Sequence, residues 1–459
     1  MSRIQPARRV AAEVLAAVRE SDAYANLLLP ARIREAHLTG PDAGFATELV
    51  YGTLRMQGYY DRVIALAARR DTARIDPPVL DALRLGVHQL LSLRTAPHAV
   101  IDESVELVKR ARKGSAAGFV NGVLRAVSRD APDTWRARAL DGLDGTDRLA
   151  VEFSHPAWIV DALDAALGQE GAQDELAALL AADNAPPRVA FAALPGLADA
   201  AALSRDGRFL PGRLSPVALG STGGDPAALP EVAEGRVRVQ DEGSQLAALA
   251  LTRARSIRPG ERWLDLCAGP GGKAALLAAE AALGGAQLVA NEVVPARAGL
   301  VRKALAPFLG EPDAPHVVEG DGRRFADGAE RFDRILLDAP CTGLGALRRR
   351  PEARWRKGPG DLAELVALQA ELLDAAIAAL APDGVLAYVT CSPHTAETRE
   401  QVAAALARHP HLRVLDTPEV LARVASGPLG LPGAPSAQLW PHRHGTDAMF
   451  VQLLARVEA

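Results

Sequence analysis

Three cysteines, Cys267, Cys341 and Cys391, are the residues of this 459-residue chain best placed to do chemistry. Each follows a short apolar run that reads as a buried strand, and each is followed at once by turn or polar residues. Such positions lie at the C-terminal edge of a sheet, where α/β folds keep their sites. Cys341 ends the run DAPC, and Cys391 is the centre of TCS. The bland reading is a pair of buried cysteines acting as small hydrophobes. Against it, both follow their strands rather than sit inside them. Three thiols in so long a chain build no disulfide scaffold, and free thiols fit a reducing, cytoplasmic setting.

The run LDLCAGPGGK, residues 264–273, carries the other strong signal. Its glycines Gly269, Gly271 and Gly272 let a backbone approach a ligand closely at the mouth of a helix. A phosphate loop is excluded, because Cys267 stands where the first glycine belongs and Ala274 replaces the magnesium-binding hydroxyl. The glycines do not fall as a dinucleotide fingerprint either. A nucleoside ligand that needs no phosphate cradle remains, and S-adenosylmethionine fits. The next strand ends in Glu292, which can accept from both ribose hydroxyls. The one after it leads to Asp321, placed to hold the exocyclic amine of an adenine. Either acid alone could simply cap the next helix; the three strand ends together make the stronger case.

Two thiols and Asp338 beside a methyl donor suit one demanding reaction. C5 of a pyrimidine is a poor nucleophile until a thiolate adds at C6 and turns the ring into an enamine. A carboxyl group at the N3 edge would stabilise that adduct. The attacking thiol needs nearby positive charge to ionise, and Lys273 is a candidate source. Spacing does not choose between Cys341 and Cys391. A basic run, Arg348, Arg349, Arg350, Arg354, Arg356 and Lys357 around Trp355, suits a nucleic-acid backbone, with a solvated charged face as the equal alternative. Lys109, Arg110, Arg112 and Lys113 form a second basic patch. His442 and His444 lack cysteine partners at ligand spacing, so no metal is expected.

The elements that must position these groups read in four parts. Residues 1–130 repeat apolar positions at helical spacing (Val10, Val14, Val18; Leu80, Leu83, Val87, Leu90; Ile101, Val105, Val108), which predicts an all-α domain of five to seven helices. Residues 131–150 are polar, with Pro132, Gly142 and Gly145, and read as a linker. Residues 151–235 read as a small α/β segment with strands at 188–194 and 214–219. From 236 to 459 strands alternate with helices at 262–266, 287–290, 316–318, 334–337 and 385–389, then 449–454, which predicts a doubly wound parallel sheet. The balance of 52 basic and 56 acidic residues does not advertise a nucleic-acid binder, although local patches decide that. No run approaches the ~18 apolar residues of a membrane span, and the first residues show no signal peptide.

The residues after 236 closely resemble the Nop/Sun family of RNA cytosine-C5 methyltransferases through LDLCAGPGGK, LLDAPCTGLGALRRRPEARW, YVTCS and LWPHRHGTDAMF. The first third is similar to the NusB-type helical RNA-binding domain through GFATELVYGTLR, APHAVIDESVELVK and GFVNGVLR. Together they resemble the architecture of bacterial enzymes that methylate cytosine C5 in small-subunit (16S) rRNA. The resemblance implies a Rossmann-like methyltransferase domain using S-adenosyl-L-methionine, a NusB-like domain before it, and a small RNA-recognition subdomain between. It implies that Cys391 is the nucleophile and that Cys341 assists product release. Asp338 and Lys273 would reach the cytosine. Cys267, Ala268, Gly269, Pro270, Gly271, Gly272, Lys273, Glu292, Asp321 and Asp338 would line the donor site. Ribosomal RNA, naked or partly assembled, would be the partner; tRNA as substrate, or a silent RNA-binding protein, are the alternatives. The chain departs from the family pattern at Gly269, Ala274, Glu292 and Thr398, and the strand near 188–194 lacks the usual Asn.

Overall fold

The computed structural model describes residues 4–21, 23–310 and 313–457. The chain forms two compact units: Met1–Asp164 with Asp174–Pro186 and Leu347–Lys357, and Ala165–Gln173 with Pro187–Ala346 and Gly358–Ala459. No helix among the described residues is long and apolar enough to cross a membrane.

The first unit is helical. Seven α-helices run between Pro6 and Val127 among the described residues, and proline opens several of them (Pro6, Pro77, Pro97). Proline suits that position because its missing N–H has no helical acceptor there. The apolar positions at helical spacing turn inward: Val10, Val14, Leu83, Val87, Ile101 and Val108 all join one core. The stretch expected to be a linker holds two helices, Pro132–Leu140 and Gly145–Glu152. Pro132 starts the first of these rather than breaking the chain, and its Trp135 buries into the same core while its indole N–H donates to the Val127 carbonyl at 2.9 Å.

The second unit contains two sheets. The small one has strands β1 (Ala190–Ala193), β2 (Phe209–Pro211), β3 (Ala218–Ser221) and β4 (Val237–Val239), in the order β2-β3-β1-β4, all antiparallel. Phe191 and Phe209 meet edge-on in its core, with ring centroids 5.4 Å apart. Two expectations shift here. The strand read at 214–219 starts only at Ala218, because Pro216 sits in a turn. The boundary read at 235/236 falls inside this sheet, since β4 pairs with β1.

The large sheet has strands β5 (Arg262–Asp265), β6 (Gln287–Glu292), β7 (His316–Glu319), β8 (Phe332–Asp338), β9 (Leu380–Thr390), β10 (Leu412–Val414), β11 (Ala437–Gln438) and β12 (Phe450–Arg456). The order is β10-β12-β9-β8-β5-β6-β7, with β11 on β12. The five strands from β5 to β9 are parallel, as expected for a doubly wound sheet. The strand read at 449–454 does not continue that pattern: β12 runs antiparallel to β9 and β10 antiparallel to β12. Strand order reverses between β5 and β8, so the crevice above their C-terminal ends is where a ligand belongs. Beneath it, the fully buried Arg334 donates to Glu261 Oε2 at 2.8 Å and to the carbonyls of Leu251, Thr252, Arg255 and Ser256. A guanidinium buried there is tolerated because every acceptor matches its donor fork.

Candidate active site

β5 delivers the glycine loop to the switch point. Gly271 has φ +102°, and a Cβ there would stand 2.5 Å from Ala304 Cβ, so only glycine fits the turn before the helix Gly272–Gly284. The loop is tied to the end of β6. Ala268 N donates to the Asn291 carbonyl at 2.8 Å, Gly269 N donates to Glu292 Oε2 at 3.0 Å, and Arg297 donates to the Gly269 carbonyl at 2.6 Å. Glu292 therefore spends part of its acceptor capacity on the loop itself and on Val294 N. A Cβ on Gly269 would lie 2.0 Å from Glu292 Oε2, which is why glycine accompanies the longer acid. Burial pushes the Cys267 thiol far up, followed by repulsion from Asp265 and Asp338, so this sulfur is no nucleophile. Asp321, after β7, caps the turn Gly322–Ala326 and holds the Arg323 guanidinium at 2.5 Å, which keeps its carboxyl down at about 2.

Sequence reasoning passed over Asp265, the last residue of β5. It is fully buried, and neither carboxyl oxygen has a side-chain hydrogen-bond partner; the Cys267 backbone N–H is the donor that acts on it. Burial, then the charge of Asp338, pushes it up to about 8 against the pull of Lys273. A buried acid with no side-chain partner, beside a glycine cradle, fits a ligand that brings a cationic donor, as the amino acid end of S-adenosylmethionine does. The folded pKa lies above the unfolded one, so folding holds a proton that unfolding releases. Stability should then fall as pH rises from about 4 to about 8, by up to about 1.4 kcal/mol per pH unit. Asp265→Asn mimics the neutral acid and removes that slope; parallel stability profiles for parent and variant in denaturant titrations would refute the assignment.

The two thiols meet at the ends of adjacent strands. β8 and β9 pair in parallel with Asp338 opposite Val389, and the loops beyond them bring Cys341 Sγ to 3.4 Å from Cys391 Sγ. Lys273, on the first turn after the glycine loop, reaches Asp338 Oδ2 at 2.7 Å. Burial alone would lower the Lys273 ammonium, but Asp338 outweighs it and the net shift is upward, so the lysine stays charged. The Cys391 thiol is lowered, first by its hydrogen bond with Cys341 and also by Lys273, against burial and Asp338. The Cys341 thiol is raised well above the ordinary range by the same hydrogen bond, by burial and by the acids around it. Of the residues read from sequence, Cys391, Cys341, Lys273 and Asp338 thus come together. Cys267, Ala268, Gly269, Pro270, Gly271 and Gly272 form the adjoining loop with Glu292, and Asp321 stands further along the strand ends.

The tail contributes as well. Gly345 N donates to the Cys391 carbonyl and Ala448 N donates to the Gly345 carbonyl, both at 2.9 Å. A Cβ on Gly345 would meet the Ala448 carbonyl oxygen at 2.1 Å, so glycine lets three segments stack. A buried network around Thr342, Gln369, Ser392 and Glu397 also joins the two loops. Of these, Thr342 and Ser392 lie within the LLDAPCTGLGALRRRPEARW and YVTCS stretches read from sequence.

Part of the basic run requires a correction. Arg354 is fully buried in the helical unit, where it donates to the carbonyls of Arg55, Ser154 and Asp183 and to Asn184 Oδ1. Arg356 donates to the Val18 and Ala23 carbonyls, and Arg348 is buried. Arg354 and Arg356 hold backbone rather than present a stripe to RNA, whereas Arg350 of the same run is exposed. Arg110 and Arg112 of the second patch are exposed. His444 bridges Trp440 N and the Leu429 carbonyl, and no group of three His, Cys, Asp or Glu among the described residues is arranged to hold a metal.

The chain is similar to known proteins along most of its length. Residues 254–455 match the family described as 16S rRNA methyltransferase RsmB/F, and residues 5–129 match the NusB family. A Mycobacterium tuberculosis chain whose name places it among methyltransferases is 48% identical over 99% of this chain and 97% of its own. The ribosomal RNA small subunit methyltransferase B of Pseudomonas putida is 34% identical, over 98% of this chain and 99% of its own. Among solved structures, a methyltransferase homologue from Pyrococcus horikoshii shares the fold with a TM-score of 0.56 at 21% identity, over 69% of this chain and 100% of its own. With relatives matching from end to end at that identity, the chain belongs to the RsmB/F family of 16S rRNA methyltransferases.

Proposed function

We propose that the protein methylates C5 of a cytosine in 16S rRNA through a covalent adduct between Cys391 and C6 of the base. The observation that carries this reading is the thiol pair: two sulfurs 3.4 Å apart at the ends of adjacent strands, with the Lys273–Asp338 pair at the same strand ends. The Cys391 thiolate adds to C6, and the electron pair of the C5=C6 bond moves toward C5 and the N3 edge. The Lys273–Asp338 pair stands beside the thiols and can hold the charge that reaches that edge. S-adenosylmethionine, the methyl donor of this family, supplies when bound the electrophilic methyl group that the activated C5 accepts. Asp265, the loop 267–272 and Glu292 would hold it. The C5 proton then passes to water, the C5–H electron pair restores the C5=C6 double bond, and the C6–S bond breaks to release Cys391 as thiolate. The Cys341 S–H, within hydrogen-bond reach of that sulfur, stabilises it as it leaves.

A cytosine inside a helix must be unstacked to reach such a cleft, which favours naked or partly assembled RNA as the substrate. The test is product identity. 16S rRNA transcript incubated with the protein and tritiated donor, then digested to nucleosides, should carry its label in 5-methylcytidine. Label at another atom or base would overturn the reading.

A further inference from the structure

Cys341 and Cys391 lie in similar loops on adjacent strands, and the hydrogen bond between them can run either way. What breaks the symmetry lies behind Cys341. Glu397 is wholly buried, and three donors converge on its carboxylate. Thr342 N donates to Oε1 at 2.7 Å, Gln369 Nε2 donates to the same oxygen at 3.0 Å, and the Thr342 hydroxyl donates to Oε2. Gln369 Nε2 also donates to the Pro340 carbonyl at 2.9 Å. The residues on both sides of Cys341 are thereby pinned. The Thr342 hydroxyl meets Ser392 Oγ at 3.0 Å, and Ser392 follows Cys391 directly. The same carboxylate therefore anchors both loops, while its charge lies on the Cys341 side and Lys273 acts on Cys391.

We propose that Glu397 is the positioning residue that holds Cys341 as the hydrogen-bond donor to Cys391, and so decides which thiol attacks. A negative charge beside Cys341 opposes its ionisation, and the pinned backbone keeps its S–H aimed at the neighbouring sulfur. Cys391 is left as the acceptor, with a lysine to balance its charge. This inference rests on the reading that the two thiols serve one reaction.

The experiment reads thiol reactivity on the full chain, without RNA or donor, so its failure leaves the methylation assignment untouched. Limiting iodoacetamide across a pH series, followed by peptide mass spectrometry, measures each thiol separately. In the parent protein, labelling should fall on Cys391 and reach its midpoint at a lower pH than labelling of Cys341. Glu397→Gln keeps the shape and removes the charge, so the Cys341-to-Cys391 labelling ratio should rise about tenfold or more, with the Cys341 midpoint moving down. A role in packing alone would leave that ratio unchanged in a folded variant, and an unchanged ratio overturns the proposal. If Glu397→Gln does not fold, Thr342→Val decides, because it cuts the hydroxyl link between Glu397 and Ser392. The Cys391 midpoint should then rise by about one pH unit, and an unmoved midpoint overturns the proposal equally.

Discussion

Cys341→Ala will accumulate a covalent protein–RNA complex, whereas Cys391→Ala will form none and lose methyl transfer by about 10⁴-fold or more. In the proposed mechanism the two variants separate because the sulfurs serve opposite ends of one bond's lifetime. Removing Cys391 removes the atom that adds to C6, and without that addition C5 has no means of accepting a methyl group. Removing Cys341 takes away the hydrogen bond that does most to lower the Cys391 thiol, so addition slows, but Lys273 still favours the thiolate and addition still occurs. It also deletes the S–H that stands 3.4 Å from the sulfur that must depart. The adduct then outlives the chemistry. Denaturing gels with labelled RNA and unlabelled donor report the complex directly. Adduct in Cys391→Ala, or full methylation by it, would reverse the roles.

Arg354→Ala should destabilise the helical unit by about 3 kcal/mol or more, without touching any group at the thiol cleft. Its guanidinium makes four hydrogen bonds of 2.7 to 3.1 Å to acceptors from three separate stretches of chain. Truncation leaves those acceptors buried and unpaired, which costs more than the bonds themselves contribute. Burial, partly offset by Asp183, already lowers this guanidinium to about 10, a sign of how little water reaches it. Arg354→Lys should recover less than half of the loss, because an ammonium is a point charge and cannot span acceptors on several sides. Urea unfolding followed by far-UV circular dichroism measures both. A loss under about 1 kcal/mol for Arg354→Ala would mean that the arginine is a solvated surface group after all.

The same arginine shows where sequence reading stops. A run of six basic residues around a tryptophan looks alike whether it faces RNA or clasps backbone, because local charge density carries no information about burial. Only the surrounding carbonyls of Arg55, Ser154 and Asp183, far away along the chain, distinguish the two. The stretch 131–150 misled for a related reason. Its proline and glycines are breakers in a helix interior but starters at a helix end, and Trp135 finds its core only in three dimensions. The antiparallel β12 was legible as a strand but not in direction, since an apolar run reads the same both ways.

What the residues alone determined is the local chemistry. Helical periodicity marked the first unit, strand–helix alternation marked the second, and the loops LDLCAGPGGK, DAPC and TCS fell at strand ends as short apolar runs require. Those signals are local, because side chains alternate or repeat along each element whatever its neighbours. The tertiary structure alone decided how equivalent residues differ. Cys341 and Cys391 are fifty residues apart in sequence and 3.4 Å apart in space, with Glu397 behind one and Lys273 near the other. Asp265 became a candidate ligand-binding acid only once burial left its oxygens without a side-chain partner. Ionisation depends on distance and desolvation, and neither exists until the strands have paired and water has been excluded.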